Sequence, residues 1–317
     1  MSYKYTHTMP PETDLPQFRP VDAAAMEQIL PYLSLSKSRS CDFSYGGLLM
    51  WVEMFDYEYA IHRDTLYIKG RAPGDGEHTE PTPTFSYPLG TRPLQESVEV
   101  LRRYCNDRGL QLEFSSVPQE EADALMAIGG KEMHELPSWE DYIYDARQLA
   151  TLAGKKMSKK RNHLNKFHDL YPDGNFRFMM PEDVAEVRRV ISRKVEMEGA
   201  QTPEARTERR LADTLLSEIE KGNPHLLGGL LSIGDKLVAY TIGDVIGDTL
   251  HIHVEKAERT VAGSFEAINK LFAEAVCARF PEIRYINRED DAGDPGLRYA
   301  KQTYHPLYLL KKYNITF

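Results

Sequence analysis

Apolar positions in the first half of the chain recur at helical spacing in several segments, with short alternating runs typical of strands between them. The spacing predicts a helix over 22–35, which Pro31 should kink or end, and a second helix over 43–55 with Asp42 as its cap. Turn formers and charges predict an exposed loop over 70–83. The same patterns predict strands over 57–61, 66–68, 85–87, 112–115 and 141–145, and helices over 94–104 and 120–128.

The second half repeats this order of elements. It predicts helices over 184–195, 204–220, 265–280 and 296–302, and strands over 175–179, 225–233, 236–246, 249–254, 283–286 and 307–310. Two similar mixed α/β units follow from the repeat, the first over 1–146 and the second over 147–317. Their hairpins predict mainly antiparallel sheets.

Length and composition agree with two ordinary globular domains. The chain has 317 residues, of which 41% are hydrophobic and 27% charged, enough for two cores. The net charge of -9 gives no general attraction for nucleic acid or anionic lipid, so any such contact must be local.

Cellular location is indicated by what the sequence lacks. Cys41, Cys105 and Cys277 are an odd, widely spaced set that favours a reducing cytoplasm over disulfides, and they do not predict a metal site. Neither a signal-peptide pattern nor an apolar run long enough to span a bilayer occurs. We therefore expect a cytoplasmic protein without a transmembrane segment, with peripheral membrane contact left open and the oligomeric state not indicated.

One charge run stands out against the acidic composition. Six cations within twelve residues have no acid among them, and Lys155, Lys159 and Lys166 are predicted to share a helical face with His163. The run is either a solvated helix face or a phosphate-binding stripe for a tRNA acceptor stem, a nucleotide-linked substrate or a phospholipid head group. Its members are Lys155, Lys156, Lys159, Lys160, Arg161 and Lys166.

The strand over 249–254 carries a polar face. Alternation places His251, His253 and Glu255 on one face of an extended strand. A zinc site is disfavoured because Glu255 would lie roughly 13 Å along the strand from His251. The plainest interpretation of this face is a polar surface covered by neighbouring loops.

Acidic residues follow the predicted strand over 283–286. Arg288, Asp290 and Asp291 lie in a segment rich in glycine and proline, which suits a cationic or amine-bearing substrate and lacks the spacing of a calcium loop. Arg298, Lys301 and Tyr304 follow at intervals of three residues.

The order of elements resembles the GNAT acyltransferase fold, and two copies in one chain resemble the peptidoglycan-bridge aminoacyltransferases. Three stretches make the resemblance more specific: YDARQLATLAGKKMSKKRNHLNKF (144–167), LHIHVEKAERTVAGSFEAINKLFAEAV (250–276) and YINREDDAGDPGLRYAKQTYHP (285–306). Together they resemble the bacterial family named after the C-terminal domain of lysylphosphatidylglycerol synthase, over nearly the whole chain. The resemblance implies two tandem GNAT-like (acyl-CoA N-acyltransferase) domains, the second with the ligand cleft and the first without a donor site.

A donor loop is the first site that the resemblance implies. GNAT enzymes hold the pyrophosphate of coenzyme A at a glycine-containing loop before the main helix, which here corresponds to Arg259, Thr260, Val261, Ala262, Gly263 and Ser264. The arginine fits and the glycines are displaced, while Ser264 is a good cap for the following helix. The loop therefore either binds coenzyme A or is a helix start that binds nothing.

The resemblance also implies catalytic roles. Glu255 or His253, or the Asp290/Asp291 pair, would act as base and anchor, and Tyr299 or Tyr304 as the acid that protonates the leaving group. The cations of the run, with Arg288, Arg298 and Lys301, would bind phosphate or substrate.

The expected activity is transfer of an acyl or aminoacyl group, from aminoacyl-tRNA or acyl-CoA, to an amine or hydroxyl. The alternative is a catalytically degenerate GNAT fold kept as a binding or regulatory protein. Displaced glycines and an intact basic run favour a polyanionic donor.

Overall fold

The computed structural model describes residues 15–71, 82–198 and 203–317. Side chains are described for all of these except residues 193–205. In this part of the chain the strands form two mainly antiparallel sheets. The first sheet has the order β1-β2-β3-β4-β6-β15-β7 with β5 paired to β3, and the second has the order β14-β8-β13-β12-β11-β10-β9. The strands are β1 (Arg19–Pro20), β2 (Glu58–His62), β3 (Thr65–Arg71), β4 (Pro83–Phe85), β5 (Leu89–Gly90), β6 (Glu113–Pro118), β7 (Glu132–Glu135), β8 (Asp141–Asp145), β9 (Gly174–Phe178), β10 (Leu226–Ile233), β11 (Lys236–Ile246), β12 (Thr249–Ala257), β13 (Tyr285–Asn287), β14 (Tyr308–Leu310) and β15 (Lys312–Thr316).

Helices cover both faces of each sheet, which places three hydrophobic cores in the molecule. The central core lies between the sheets and joins α1, α2, α7 and α8, while α5, α6 and α9 cover the outer face of the second sheet. A third core lies under α3 and α4. The helices are α1 (Ala23–Leu33), α2 (Tyr45–Phe55), α3 (Leu94–Asn106), α4 (Gln119–Ala127), α5 (Ala146–Thr151), α6 (Ser158–Leu170), α7 (Val184–Glu198), α8 (Pro203–Glu220), α9 (Ser264–Arg279) and α10 (Pro295–Gln302).

The mixed α/β fold with mainly antiparallel sheets is confirmed, and local details differ. Pro31 lies in the last turn of α1, which ends at Leu33. The predicted cap Asp42 is wrong: a short 3-10 turn precedes α2, and the Ser44 side chain accepts from the Gly47 N–H instead. Most of the predicted loop over 70–83 lies outside the described residues.

The two sheets exchange a strand, which the sequence did not predict. Strand β8, expected to complete the first unit, pairs with β13 and β14 of the second sheet. Strand β15, missed by the sequence patterns, pairs with β6 and β7 of the first sheet. The unit boundary at residue 146 stays a prediction, and the exchange ties the two halves together.

Candidate active site

The second sheet opens between β12 and β13. These strands pair in parallel over three residues, from Thr249 opposite Tyr285 to His251 opposite Asn287. Beyond that point β12 continues to Ala257, whereas the chain leaves β13 at Asn287. Side chains that follow the split on both strands meet across the opening, and most of the predicted catalytic residues lie there.

A β-bulge separates residues that the sequence placed together. The pairing of β11 with β12 shifts register between Ile242 and Gly243, and His253 is the extra residue on β12. Ile252 therefore packs in the core under α9, whereas Val254 packs in the central core. The prediction of one shared face is wrong, because Glu255 contacts α9 while His253 turns towards the first half.

Five side chains meet on the α9 side of the opening, and we call them the cleft cluster: Glu255, Arg288, Tyr304, Lys160 and Glu266. Arg288 Nη2 lies 2.7 Å from Glu255 Oε1, and its guanidinium lies 4.8 Å from the Tyr304 ring centre. Lys160 Nζ lies 3.8 Å from that ring centre and 3.3 Å from Glu266 Oε1. Burial lowers the pKa of Lys160 and raises that of Tyr304 well above its usual value. The Tyr304 phenol therefore stays neutral.

Asn269 supports the cleft cluster from α9. It is fully buried, and its Nδ2 donates to Glu255 Oε2 at 2.9 Å. Glu255 thus receives hydrogen bonds on both oxygens, one from Asn269 and one from Arg288. These contacts fix the carboxylate in place.

Lys312 is the centre of a second buried cluster, which lies where the two halves meet. Its Nζ lies 2.7 Å from Asp42 Oδ2 and 2.8 Å from Asp141 Oδ1. Burial alone would lower the pKa of Lys312, but the two carboxylates hold it well above its usual value. Asn287 and the Cys41 backbone N–H both donate to Asp141 Oδ2, at 2.8 Å each. The last strand of the chain is therefore fixed to the first half by charge.

His253 is held as a cation between two acids. Its Nδ1 lies 2.7 Å from Glu289 Oε1, its Nε2 lies 3.4 Å from Asp244 Oδ1, and its side chain is 0% exposed. Burial alone would lower the pKa of His253, but Asp244 and Glu289 raise it to about 10. An imidazolium cannot accept a proton at neutral pH, so His253 does not suit the role of base. Ser44 Oγ lies 3.5 Å from His253 Nε2, yet Ser44 is fully buried and caps α2.

Asp290 and Asp291 are neighbours with opposite properties. Arg298 and the Tyr142 hydroxyl bind Asp291, and the Arg298 guanidinium lowers its pKa to about 2. Burial raises the pKa of Asp290 to about 6, and Lys312 acts against this rise. Asp290 is therefore the carboxyl of the pair whose pKa suits proton transfer near neutral pH.

Lys301 binds the backbone on the β13 side of the opening. It is buried, and its Nζ donates to the backbone carbonyls of Arg288 and Asp290. Lys301 thus holds the segment after β13. Tyr299, on the same helix, is 72% exposed, and the structure does not bring it to the cleft cluster.

The predicted donor loop packs against α6. Helix α9 begins at Ser264, whose hydroxyl donates to the carbonyls of Glu258 and Val261, so its predicted capping role is wrong. Gly263 has a φ of 79°, and a Cβ there would lie 2.2 Å from the His163 carbonyl oxygen. Glu266 adds an acid to the first turn of α9. The residues at this helix start therefore do not fit a pyrophosphate.

The members of this loop differ in exposure. Arg259 and Thr260 are exposed, whereas Val261 and Ala262 are half-buried.

The basic run divides into three parts. Lys155 and Lys156 precede α6, so the predicted shared helical face is wrong for Lys155. Lys160 points into the cleft cluster, and Arg161 donates to the carbonyls of Leu152 and Gly154. Every lysine of the run except Lys160 is exposed: Lys155, Lys156, Lys159 and Lys166.

Sequence reasoning missed several members of these clusters. Glu266, Asn269 and Glu289 lie near predicted site residues, but no spacing rule connects them to β12. Asp42 was interpreted as a helix cap, and Lys312 follows the last predicted strand. Only strand exchange brings Asp42 and Lys312 together.

A family model described as phosphatidylglycerol lysyltransferase, C-terminal, matches residues 33–316. The chain belongs to this family. An uncharacterised protein of Mycoplasmoides gallisepticum is 24% identical over 55% of this chain, and the chain spans about half of that relative, 54% of its length.

Solved structures establish the fold. A conserved protein of unknown function from Bacteroides thetaiotaomicron is 29% identical, with a TM-score of 0.87 over 96% of this chain and 100% of that chain. L-PGS from Bacillus licheniformis is 15% identical, with a TM-score of 0.66 over 93% of this chain and 91% of that chain. FemX is 9% identical, with a TM-score of 0.62 over 95% of this chain and 97% of that chain.

The matches to L-PGS and FemX show that these chains share the two-sheet fold described above. Among residues 15–71, 82–198 and 203–317, no helix has the length and apolar character needed to cross a membrane.

Proposed function

We propose that the protein transfers an aminoacyl group from aminoacyl-tRNA to an amine or hydroxyl acceptor. The observation that carries the proposal is the position of Lys160, which belongs to the basic run yet lies 3.8 Å from the Tyr304 ring centre. The exposed lysines of the run lie within six residues of Lys160 in the chain, on α6 or directly before it. A polyanion bound along them would present its end to Arg288 and Tyr304.

Coenzyme A is the less suitable donor. The His163 carbonyl of α6 packs against Gly263, and Glu266 puts a carboxylate in the first turn of the helix that would hold its pyrophosphate. Exposed lysines, in contrast, suit the repeated phosphates of a nucleic acid. The fold match to FemX agrees with a tRNA-borne donor.

The clusters supply the groups that aminoacyl transfer needs. The acceptor nitrogen or oxygen attacks the ester carbonyl and loses a proton to Asp290, whose pKa of about 6 leaves it unprotonated at neutral pH. The oxyanion forms beside the Arg288 and Lys160 cations. The bond to the ribose oxygen then breaks, and this oxygen takes a proton from the neutral Tyr304 phenol. Glu255 positions Arg288.

Binding of charged tRNA at several salt concentrations tests the donor. We expect affinity to fall with salt. Replacement of Lys155, Lys156, Lys159 and Lys166 with Gln should flatten the slope by roughly 0.7 to 0.9 log unit for each phosphate that the variant no longer neutralises. The matched control replaces four exposed lysines elsewhere and should leave the slope unchanged. These are Lys131, Lys221, Lys236 and Lys311.

Three results would count against the proposal. An unchanged salt slope after replacement of the run's exposed lysines would make the run a solvated surface. If calorimetry shows binding of acetyl-coenzyme A and no binding of charged tRNA, the donor is an acyl-coenzyme A and not aminoacyl-tRNA. If neither charged tRNA nor acetyl-coenzyme A binds, the binding or regulatory alternative is favoured.

A further inference from the structure

The cleft cluster is largely closed to solvent in this structure. The side chains of Glu255 and Arg288 are 8% and 13% exposed, and Tyr304 is 5% exposed. Lys160 lies against the Tyr304 ring, and its side chain is 15% exposed. An aminoacyl ester must contact several of these side chains at once, so a neighbouring segment has to move before the ester can enter.

Residues 292–305, which we call the α10 segment, include Tyr304 and pack little against the rest of the molecule. Residues 292–300 are all exposed. All eight residues of α10 are described, and Lys301 is the one among them that is buried. Lys301 and Tyr304 therefore anchor a segment that is otherwise on the surface. Helices gain most of their stability from a packed face, so α10 is held weakly.

Both ends of the α10 segment have a strained backbone. Ala292 has a φ of 47° and His305 has a φ of 54°, in the left-handed region that residues with a Cβ rarely adopt. Such strain persists only where the surroundings hold it, and it concentrates in segments that switch between conformations. Rotation at these two residues would move the intervening segment as a unit and release the strain.

Polar contacts hold the α10 segment in its closed position. Arg298 Nε and Nη2 lie 2.8 and 2.9 Å from the two carboxylate oxygens of Asp291, to which the Tyr142 hydroxyl also donates at 2.6 Å. Lys301 Nζ donates to two backbone carbonyls of the chain after β13. The Arg298 side chain is 44% exposed, and ion pairs with an exposed partner contribute little stability. Water can therefore replace the Arg298 contacts when the segment moves.

We propose that the α10 segment is a lid over the cleft cluster and that the Arg298–Asp291 ion pair holds this lid closed. Opening withdraws Tyr304 from Arg288 and admits the aminoacyl end of the donor. Closing returns the Tyr304 phenol to the ester and excludes water from it. Arg298 is thus a positioning residue that acts through Tyr304. The identity of the ester rests on the proposed function, whereas the motion of the lid does not.

Spin labels measure the motion without any substrate. In the full chain with Cys277→Ala, labels on Tyr299→Cys and Glu274→Cys occupy exposed positions of the α10 segment and of α9. The other two cysteines are buried. We expect pulsed electron paramagnetic resonance to give a major and a minor distance, and Arg298→Gln to raise the minor population about threefold. A single distance that Arg298→Gln leaves unchanged would overturn the lid.

A reversible disulfide tests whether transfer needs the motion. A Cβ at Gly293 would lie 3.8 Å from the Ser138 Cβ, the separation that a disulfide needs. Oxidation of Ser138→Cys/Gly293→Cys should slow transfer about tenfold or more, and dithiothreitol should restore it. The reduced protein and oxidised Gly293→Cys control for the strain of a side chain at a φ of 76°. Equal rates in the oxidised and reduced double variant would overturn the proposal.

Kinetics of Arg298→Gln test how the lid is held closed. The exposed lysines of the basic run are unchanged in this variant, so the KM for charged tRNA should stay constant while kcat falls about threefold or more. Arg298→Lys should recover part of kcat, and Arg284→Gln, which removes another exposed arginine, should change neither constant. A raised KM with unchanged kcat would overturn the role of Arg298. Absence of transfer in the wild type would refute the proposed function, and the spin-label distances would still decide the lid.

Discussion

Lys312 in β15 and Asp141 in β8 form a fully buried ion pair of 2.8 Å between two exchanged strands. Strand β15 belongs to the first sheet although it comes last in the chain, and β8 belongs to the second sheet although it comes before α5. The pair therefore fixes each exchanged strand to the other.

Removal of the Lys312 charge should destabilise the fold strongly. Lys312→Met leaves Asp141 buried without a cation, which costs about 3 to 5 kcal/mol of unfolding free energy. Urea denaturation measures this loss. Lys311→Met, next to it but exposed, should unfold near the wild-type midpoint. Equal effects of the two substitutions would show that the buried pair does not stabilise the exchange.

The charge on His253 predicts a pH dependence of stability. Its folded pKa of about 10 is above the unfolded value of about 6.5, so its contribution is complete below pH 6.5 and is lost as the pH rises to 10. The difference in unfolding free energy between wild type and His253→Gln should shrink over that range.

His251 provides the matched control for His253. The two rings stack with centres 6.4 Å apart, but burial lowers the pKa of His251 to about 4. The contribution of His251 to the pH dependence of stability should therefore lie between pH 4 and 6.5, where the free energy of unfolding rises as the pH rises. The same pH window for both variants would contradict the assigned charges.

Substitution of Asp290 and of Asp291 should have different effects on the pH dependence of the transfer rate. Because Asp290 is the proposed base, the transfer rate of the wild type should rise with pH as this carboxyl loses its proton near pH 6, and we call this rise the acid limb. Asp290→Asn should reduce the rate by about 10²-fold or more and remove the acid limb. Asp291→Asn should keep the limb, because Arg298 holds its pKa at about 2. Loss of the limb in Asp291→Asn alone would reverse the assignment.

Two glycines with positive φ test the packing of the predicted donor loop. Gly154→Ala has no atom within 4 Å of its new Cβ and should cost about 1 to 2 kcal/mol from φ alone. Gly263→Ala carries the same penalty and also meets the His163 carbonyl oxygen at 2.2 Å. Chemical denaturation should therefore show the larger loss of stability for Gly263→Ala. Equal losses would mean that α6 moves away from the loop.

Local periodicity predicted most helices and strands of both halves. The helix around Leu101, for instance, followed from neighbours three and four positions apart, because one face of α3 packs in a core. Strands β10, β11 and β12 followed in the same way from apolar runs separated by glycine turns. These features depend on adjacent residues and therefore appear in the sequence.

Strand partners and register were decided by the tertiary structure. The alternation along β12 does not show the bulge at His253, so it predicts the wrong face for Glu255. A bulge depends on the pairing of two strands, and no pattern in one strand reveals it.

The sequence by itself determined two mixed α/β units, an acidic chain with one basic run, and the acids after β13. Tertiary structure decided that Lys160 alone of the run's lysines reaches Tyr304, and that Asp42 binds Lys312. The physical reason is that these contacts join residues far apart in the chain. Their formation depends on which strands pair and which helices pack, and that choice is made by the whole fold.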